Sequence, residues 1–232
     1  MSSEYFDTGN DPRIIFAINI ISKTIKMIKS RKVGIIKRER IDEVLDDLLK
    51  LLNRVRYSYL PKQELIKQDY FKELKEKARS QYSFLMNNFD ELKKISENMA
   101  KWLRFVLRNI ISLQERLLDY SDEPVSAVER CFVNILSVVR HPKMDKLWIA
   151  LVSDGSEKFE IITNSPELKT GDILLLAFLP PKEFGGITSE GMFLGSDGIR
   201  RGKPEDIGKS PELHPEEKRK ILAEIFHYLK QH

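Results

Sequence analysis

From residue 11 to about residue 119 the apolar positions recur every three or four residues, and beyond Pro124 they fall into shorter, strand-like runs. The first spacing is the signature of helices with one buried face; the second is that of half-buried strands. Asp11 is placed to cap a first helix, and Pro12 suits its first position, where a missing N–H has no helical partner to lose. Ile14, Ile15, Ile18, Ile21, Ile25 and Ile28 then make one apolar stripe, ending near Ser30 with Gly34 in the link. A second helix is predicted from Lys37 into Arg56, carrying Ile41, Val44, Leu45, Leu48, Leu49 and Leu52. Pro61 breaks the pattern. A third helix is expected over Lys62–Ala78, and a long, bendable fourth over Tyr82–Asp119. Helices joined by short links predict an up-and-down bundle.

Ser121-Asp122-Glu123-Pro124 reads as a linker. After it, strands are predicted over residues 131–139, 147–152, 159–163 and 173–179, with a fifth starting at Gly191. Asp154-Gly155 and Gly171-Asp172 serve as turns, and the segment Lys182–Met192 reads as a loop. A final helix is predicted from Pro215 to Lys230, with Ile221, Leu222, Ile225, Phe226 and Leu229 on it. Five strands in about 65 residues fit a Greek-key barrel of the OB type. The expected class is therefore α+β: an all-α helical bundle over residues 1–122, then a five-stranded OB-fold β-barrel with a C-terminal helix over residues 126–232.

With 41% hydrophobic residues among 232, either half can bury a core. No run of eighteen apolar residues suggests a membrane span, and the first ten residues lack the order of a secretory signal. The single cysteine, Cys131, has no disulfide or zinc companion and reads as an inert core thiol. A soluble, cytoplasmic protein is the expectation. The net charge is +4, distributed unevenly: residues 1–125 hold 24 basic and 19 acidic side chains, residues 126–232 hold 15 and 16. The positive excess is densest between Lys23 and Arg40, with Glu39 the only acid there. Lys29, Arg31, Lys32, Lys37 and Arg38 are thus candidates for a phosphate-facing patch, with a solvated surface as the competing reading.

The strand-rich part carries further markers: His141-Pro142 followed by Asp145-Lys146-Leu147, Phe159-Glu160-Ile161-Ile162-Thr163-Asn164, Gly171-Asp172 before an apolar strand, and Ser189-x-Gly191-Met192-x-Leu194. In order and spacing they resemble the tRNA-binding OB domain found on many methionyl-tRNA synthetases, at the start of bacterial phenylalanyl-tRNA synthetase β chains, and in stand-alone tRNA-binding proteins. The helical half resembles no known family. The resemblance implies binding to the outside of the L-shaped tRNA fold, largely without regard to base sequence. It implies that Lys143 and Lys146 meet phosphate oxygens. Asn164 and Ser165 would make short polar contacts, and the Lys182–Met192 segment would lie against the nucleic acid. Within that segment Lys182 and Phe184 would face a partner, Ser189 would donate to a phosphate or ribose oxygen, and Gly185, Gly186 and Gly191 would permit close approach. Two features depart from the family pattern. Thr163-Asn164 stands where a Ser-Gly pair is usual, and the usually basic loop holds one lysine, partly cancelled by Glu183.

His141, with no partner for metal or acid–base work, reads as a turn-packing residue. Trp148 reads as core. No Walker loop, dinucleotide fingerprint, zinc-finger spacing or nucleophile elbow is present, so neither catalytic residues nor metal or cofactor is expected. The reading is a non-catalytic tRNA- or structured-RNA-binding protein, its helical part adding phosphate contacts or docking a partner such as an aminoacyl-tRNA synthetase or the ribosome. The alternative is a protein-interaction module, either a peptide-binding chaperone-like barrel or a synthetase-complex or ribosome-associated scaffold. The last helix either caps the barrel or forms a homodimer.

Overall fold

A computed structural model describes residues 6–30, 38–195 and 199–230. The chain divides into two compact units, one running to Ala127 and rejoined by the segment from Phe226, the other spanning Val128–Ile225. The final helix therefore stops earlier than its apolar pattern suggests. Its regular part, α7, is Pro215–Ile225 in the second unit, and a 3-10 turn, Phe226–Tyr228, belongs to the first.

The first unit is helical: α1 (Pro12–Ser30), α2 (Arg38–Arg56), α3 (Lys62–Leu65), α4 (Asp69–Asn87), α5 (Phe89–Ile111) and α6 (Leu113–Asp119). Asp11 caps α1 as its sequence predicts, its Oδ1 accepting the N–H groups of Arg13 at 2.9 Å and Ile14 at 3.3 Å. The predicted stripe on α1 is buried, but so are Phe16, Ala17 and Ile20. The helix is thus the unit's core element, not an amphipathic surface helix. The predicted third and fourth helices are re-divided. The third breaks after Leu65, and α4 runs through to Asn87, past the expected gap before Tyr82. Asn88 separates α4 from α5, which kinks at Ser96, and Ser112 separates α5 from α6. The apolar spacing carries through these breaks, so periodicity alone fuses the elements.

Polar groups fix this unit at two points. The Arg13 guanidinium, with no exposed surface, donates to both Asp11 oxygens, to Asp122 at 2.6 Å and to the Arg116 carbonyl at 2.8 Å. Arg116 in turn donates to the carbonyls of Asn109, Ser126 and Ala127 at 2.5, 3.1 and 2.7 Å. Buried carbonyls at the end of α5 and in the 3-10 turn Pro124–Ala127 are satisfied in this way. The terminal segment is held by α1: Asn19 Nδ2 donates to the carbonyls of Tyr228 and Lys230, and the Tyr228 ring packs edge-on against Phe16.

In the second unit β1 (Arg130–Arg140), β2 (Trp148–Ser153), β3 (Lys158–Thr163), β4 (Ile173–Phe184) and β5 (Ile187–Phe193) form one antiparallel sheet ordered β3-β2-β1-β4-β5. The α+β class and the OB-like order hold, while the barrel is not closed by a backbone ladder. Side chains bridge the seam between the edge strands instead. Ser189 Oγ of β5 accepts the Ile162 N–H of β3 at 3.0 Å, and the Glu190 carboxylate accepts the Glu160 N–H at 3.2 Å. These bonds satisfy donors that an edge strand would leave unpaired.

The expected Lys182–Met192 loop is a β-hairpin arm. Phe184 pairs with Ile187, so Gly185-Gly186 forms a two-residue turn, both with positive φ (+56° and +94°), the geometry that suits the twist of paired strands. Pro180 and Pro181, which lack an N–H for the ladder, fall where the β4–β5 register shifts between Phe178 and Lys182. Outside the sheet α7 packs on β4 of its own chain with Ile221 and Ile225 buried.

Candidate nucleic-acid interface

The interface is assembled by His141. Its main-chain N–H donates to the Leu147 carbonyl at 2.9 Å, closing the Pro142–Lys146 turn, and its Nδ1 accepts the Lys143 N–H at 3.1 Å. Accepting at Nδ1 leaves the proton on Nε2, which donates to the Phe184 carbonyl at 2.9 Å. The ring thereby ties the lysine-bearing turn to the tip of the β4–β5 hairpin, more than forty positions away in sequence. A Cβ on Gly185 would meet His141 Cε1 at 2.8 Å, and Lys143 Nζ lies 3.5 Å from the Cβ position of Gly186. His141 is a packing residue, as its sequence context predicts, and it gives Lys143 its place.

Beside the hairpin lies a groove of about 540 Å³. It is lined by the polar Asn164, Ser165, Lys182 and Ser189, by Phe184, by the apolar Leu147, Ile162, Leu179 and Met192, and by Lys220 and Glu224 of α7. Ser165 is held by its N–H on Thr163 Oγ1 at 3.2 Å, and Asn164 is exposed. Lys143, Lys146 and Lys182 are exposed. Lys182 lies 3.9 Å from Glu224 and 5.8 Å from the Phe184 ring, which is half-buried rather than fully exposed. An exposed ion pair of this length contributes little and yields readily to a better anion. The lining from α7 has no sequence signal, because only the folded contact with β4 brings Lys220 and Glu224 to the groove.

Other candidates have different positions from those expected. Ser189 is buried, and its hydroxyl is engaged within the protein: it accepts from Ile162 and donates to the Gly191 carbonyl at 3.0 Å. It holds the sheet seam and also lines the groove. Gly191 is a glycine for its own sheet, since a Cβ there would sit 2.4 Å from the Ala177 carbonyl oxygen on β4. Trp148 is half-buried, with the Arg140 guanidinium 6.0 Å from its ring, rather than a core residue. In the helical unit Lys29 is exposed and lies 3.7 Å from Asp46. Lys23 donates to the Tyr228 hydroxyl at 2.7 Å with its ammonium 4.8 Å from the rings of both Trp102 and Tyr228. Arg31, Lys32 and Lys37 lie outside the described residues, and Arg38 is described only by its place in α2.

Among the described residues no cluster of His, Cys, Asp and Glu could hold a metal ion, and no helix is long and apolar enough to cross a membrane.

A small, OB-like sheet with a lysine turn and a partly polar groove beside its hairpin is the architecture of an oligonucleotide-binding domain. Residues 131–218 match the family described as a putative tRNA binding domain. Residues 5–119 match a family described only as an alpha helical domain. The chain is 41% identical to the phenylalanine–tRNA ligase beta subunit of Leptospira borgpetersenii serovar Hardjo-bovis over 26% of its own length and 9% of that subunit's. The corresponding subunit of Leptospira biflexa is 33% identical, again over 26% of this chain and 9% of the relative. The chain thus spans less than a tenth of the length of these curated relatives. Among solved structures, a methionyl-tRNA synthetase related protein from Pyrococcus horikoshii is similar over 35% of this chain and 86% of its own, at 23% identity and a TM-score of 0.32.

Proposed function

We propose that this chain is a non-catalytic, cytoplasmic tRNA-binding protein whose curled sheet holds the sugar-phosphate contour of folded RNA. In this reading Lys143, Lys146 and Lys182 neutralise phosphates, Asn164 and Ser165 bond ribose or phosphate oxygens, and Phe184 packs against the nucleic acid. The helical unit docks a partner of the translation machinery, such as a synthetase. The observation that carries the reading is the His141 tie, which brings the lysine turn and the hairpin tip to one rim. The match to a tRNA-binding domain family supports it independently.

The test is equilibrium binding of unfractionated tRNA to the full chain at several salt concentrations. Both lysines lie in an exposed turn, so Lys143→Ala with Lys146→Ala leaves the fold intact. The double variant is expected to bind about tenfold more weakly and to flatten the salt dependence by about two counterions. Equal affinity and equal salt dependence in variant and wild type would defeat the reading.

The apolar residues lining the groove favour one second reading, in which the groove accepts an extended polypeptide. A polypeptide co-purifying with the chain and released by free RNA would support joint use of the groove. One that co-purifies with no RNA absorbance and resists RNA would favour the peptide alone.

A further inference from the structure

We propose that the helical unit carries a second, separate RNA contact: an arginine–tyrosine platform that stacks an unpaired base. It rests on the reading of the chain as an RNA-binding protein and adds a site away from the sheet.

The platform lies at the C-terminal end of α2. The Arg54 guanidinium sits 4.4 Å from the ring centroid of Tyr70, and that of Arg56 sits 5.4 Å from the ring of Tyr57. Arg56 Nε also donates to the Gly9 carbonyl at 3.2 Å, and the Cβ position of Gly9 lies 3.2 Å from the Tyr59 hydroxyl. Two arginine–tyrosine pairs, Arg54 with the buried Tyr70 and Arg56 with the exposed Tyr57, thus lie at this helix end, with Tyr59 two residues beyond.

Three features set this segment apart from an ordinary helix end. Tyr57 and Tyr59 are 60% and 45% exposed, so both rings present surface to solvent. Among the described residues, neither Arg54 nor Arg56 has a carboxylate partner, so two positive charges stand beside the exposed rings. The nearby Asp7 carboxylate accepts a hydrogen bond from Asn10 at 2.6 Å. Finally, Tyr59 has φ +52° and is the single non-glycine residue with positive φ among those described. That conformation is costly for a side chain with a Cβ. It is held from a distant segment. The buried Thr8 hydroxyl donates to the Arg56 carbonyl at 2.7 Å and accepts the Tyr59 N–H at 3.1 Å. The chain spends a strained residue and a clamp on holding one tyrosine outward.

Exposed rings interleaved with unpaired guanidinium groups match the chemistry of a single-stranded nucleotide. A base stacks on an aromatic face without regard to sequence, and its phosphate meets the adjacent cation.

Fluorescence anisotropy of a labelled oligo(A) RNA titrated with the full chain tests the platform. Wild-type protein is expected to bind oligo(A) with salt-dependent affinity. Tyr57→Ala with Tyr59→Ala should weaken that binding tenfold or more. Lys143→Ala with Lys146→Ala should change oligo(A) binding far less while weakening tRNA binding, so the two surfaces are read separately. Tyr59→Gly guards against unfolding: glycine accepts the positive φ, so its thermal midpoint should equal or exceed the wild-type value while oligo(A) binding falls. No binding of oligo(A) by wild type overturns the proposal, as does unchanged affinity in the folded tyrosine variants. Release of a bound protein by the tyrosine double variant, with oligo(A) affinity unchanged, assigns the segment to a polypeptide and overturns it equally.

Discussion

Replacing Arg13 with methionine is expected to cost the helical unit about 3–5 kcal/mol, the largest stability loss predicted for any single change in it. The side chain is fully buried, and its removal strands a buried carboxylate, Asp11, that keeps only its two cap bonds to backbone N–H groups. The Arg116 carbonyl loses a donor in the same step. Asp11→Asn is expected to cost less, because the amide oxygen can still cap α1 and the Arg13 guanidinium keeps Asp122 and the Arg116 carbonyl as partners. Urea unfolding followed by helical circular dichroism measures both.

The same cluster sets an acid limit. Burial pushes the Asp122 carboxyl up, but hydrogen bonds from Lys62 and Arg13 outweigh it and hold the group below its ordinary range. A carboxylate with a depressed folded value contributes its stability above the unfolded value and loses it as pH falls through the folded one. The contribution is therefore complete at neutral pH and lost below about pH 4. It is modest, since Asp122 is largely exposed. In Arg13→Met one of the two donors is missing, so the contribution should be smaller and its loss complete at a higher pH than in the wild type.

Gly191→Ala is the second large effect. The backbone at Gly191 has no positive φ, so alanine is conformationally acceptable there; the obstacle is space. Its Cβ would lie 2.4 Å from the Ala177 carbonyl oxygen and 3.2 Å from Leu176 Cδ1. The carbonyl belongs to the ladder in which Ala177 pairs with Met192 and Phe178 with Gly191, so it cannot swing away as a flexible side chain could. Pushing the strands apart is expected to cost about 3 kcal/mol. It should also open the hairpin arm that carries Lys182 and Phe184, so weaker tRNA binding should accompany the lower thermal midpoint. A variant with wild-type stability would show that the sheet does not need this close approach.

These cases mark how far the sequence can be read. The cap at Asp11 and Pro12 was legible because it is local, and so were the strands, whose alternation is local too. The markers from His141 to Leu194 named most of the groove in advance, including Asn164, Ser165, Lys182 and Phe184. What they could not give was the purpose of each. Ser189 and Gly191, which look like ligand contacts in a motif and line the groove, also serve the sheet: one bridges a seam between edge strands and the other admits a neighbouring carbonyl. The hairpin arm was hidden because Pro180-Pro181 and Gly185-Gly186 each read as breakers. In the fold the prolines sit at a register shift and the glycines make a tight turn. The basic cluster is legible only as a count of charges, which does not reveal that Lys23 is held against Trp102 and Tyr228, a ring that arrives from the far end of the chain. The Arg54–Tyr59 segment has no sequence signal for the complementary reason: its two arginines are few, and the Thr8 clamp that holds the backbone from Arg56 to Tyr59 comes from a distant segment.

Amide hydrogen exchange of the full chain with and without saturating tRNA tests the central claim most directly. Bound RNA should slow exchange in the turn around Lys143–Lys146, at Asn164 and Ser165, and along the arm from Lys182 to Ile187, leaving the outer face of α7 unchanged. Protection that spares all three segments, or no change anywhere when RNA is bound, would contradict the placement of RNA on this rim.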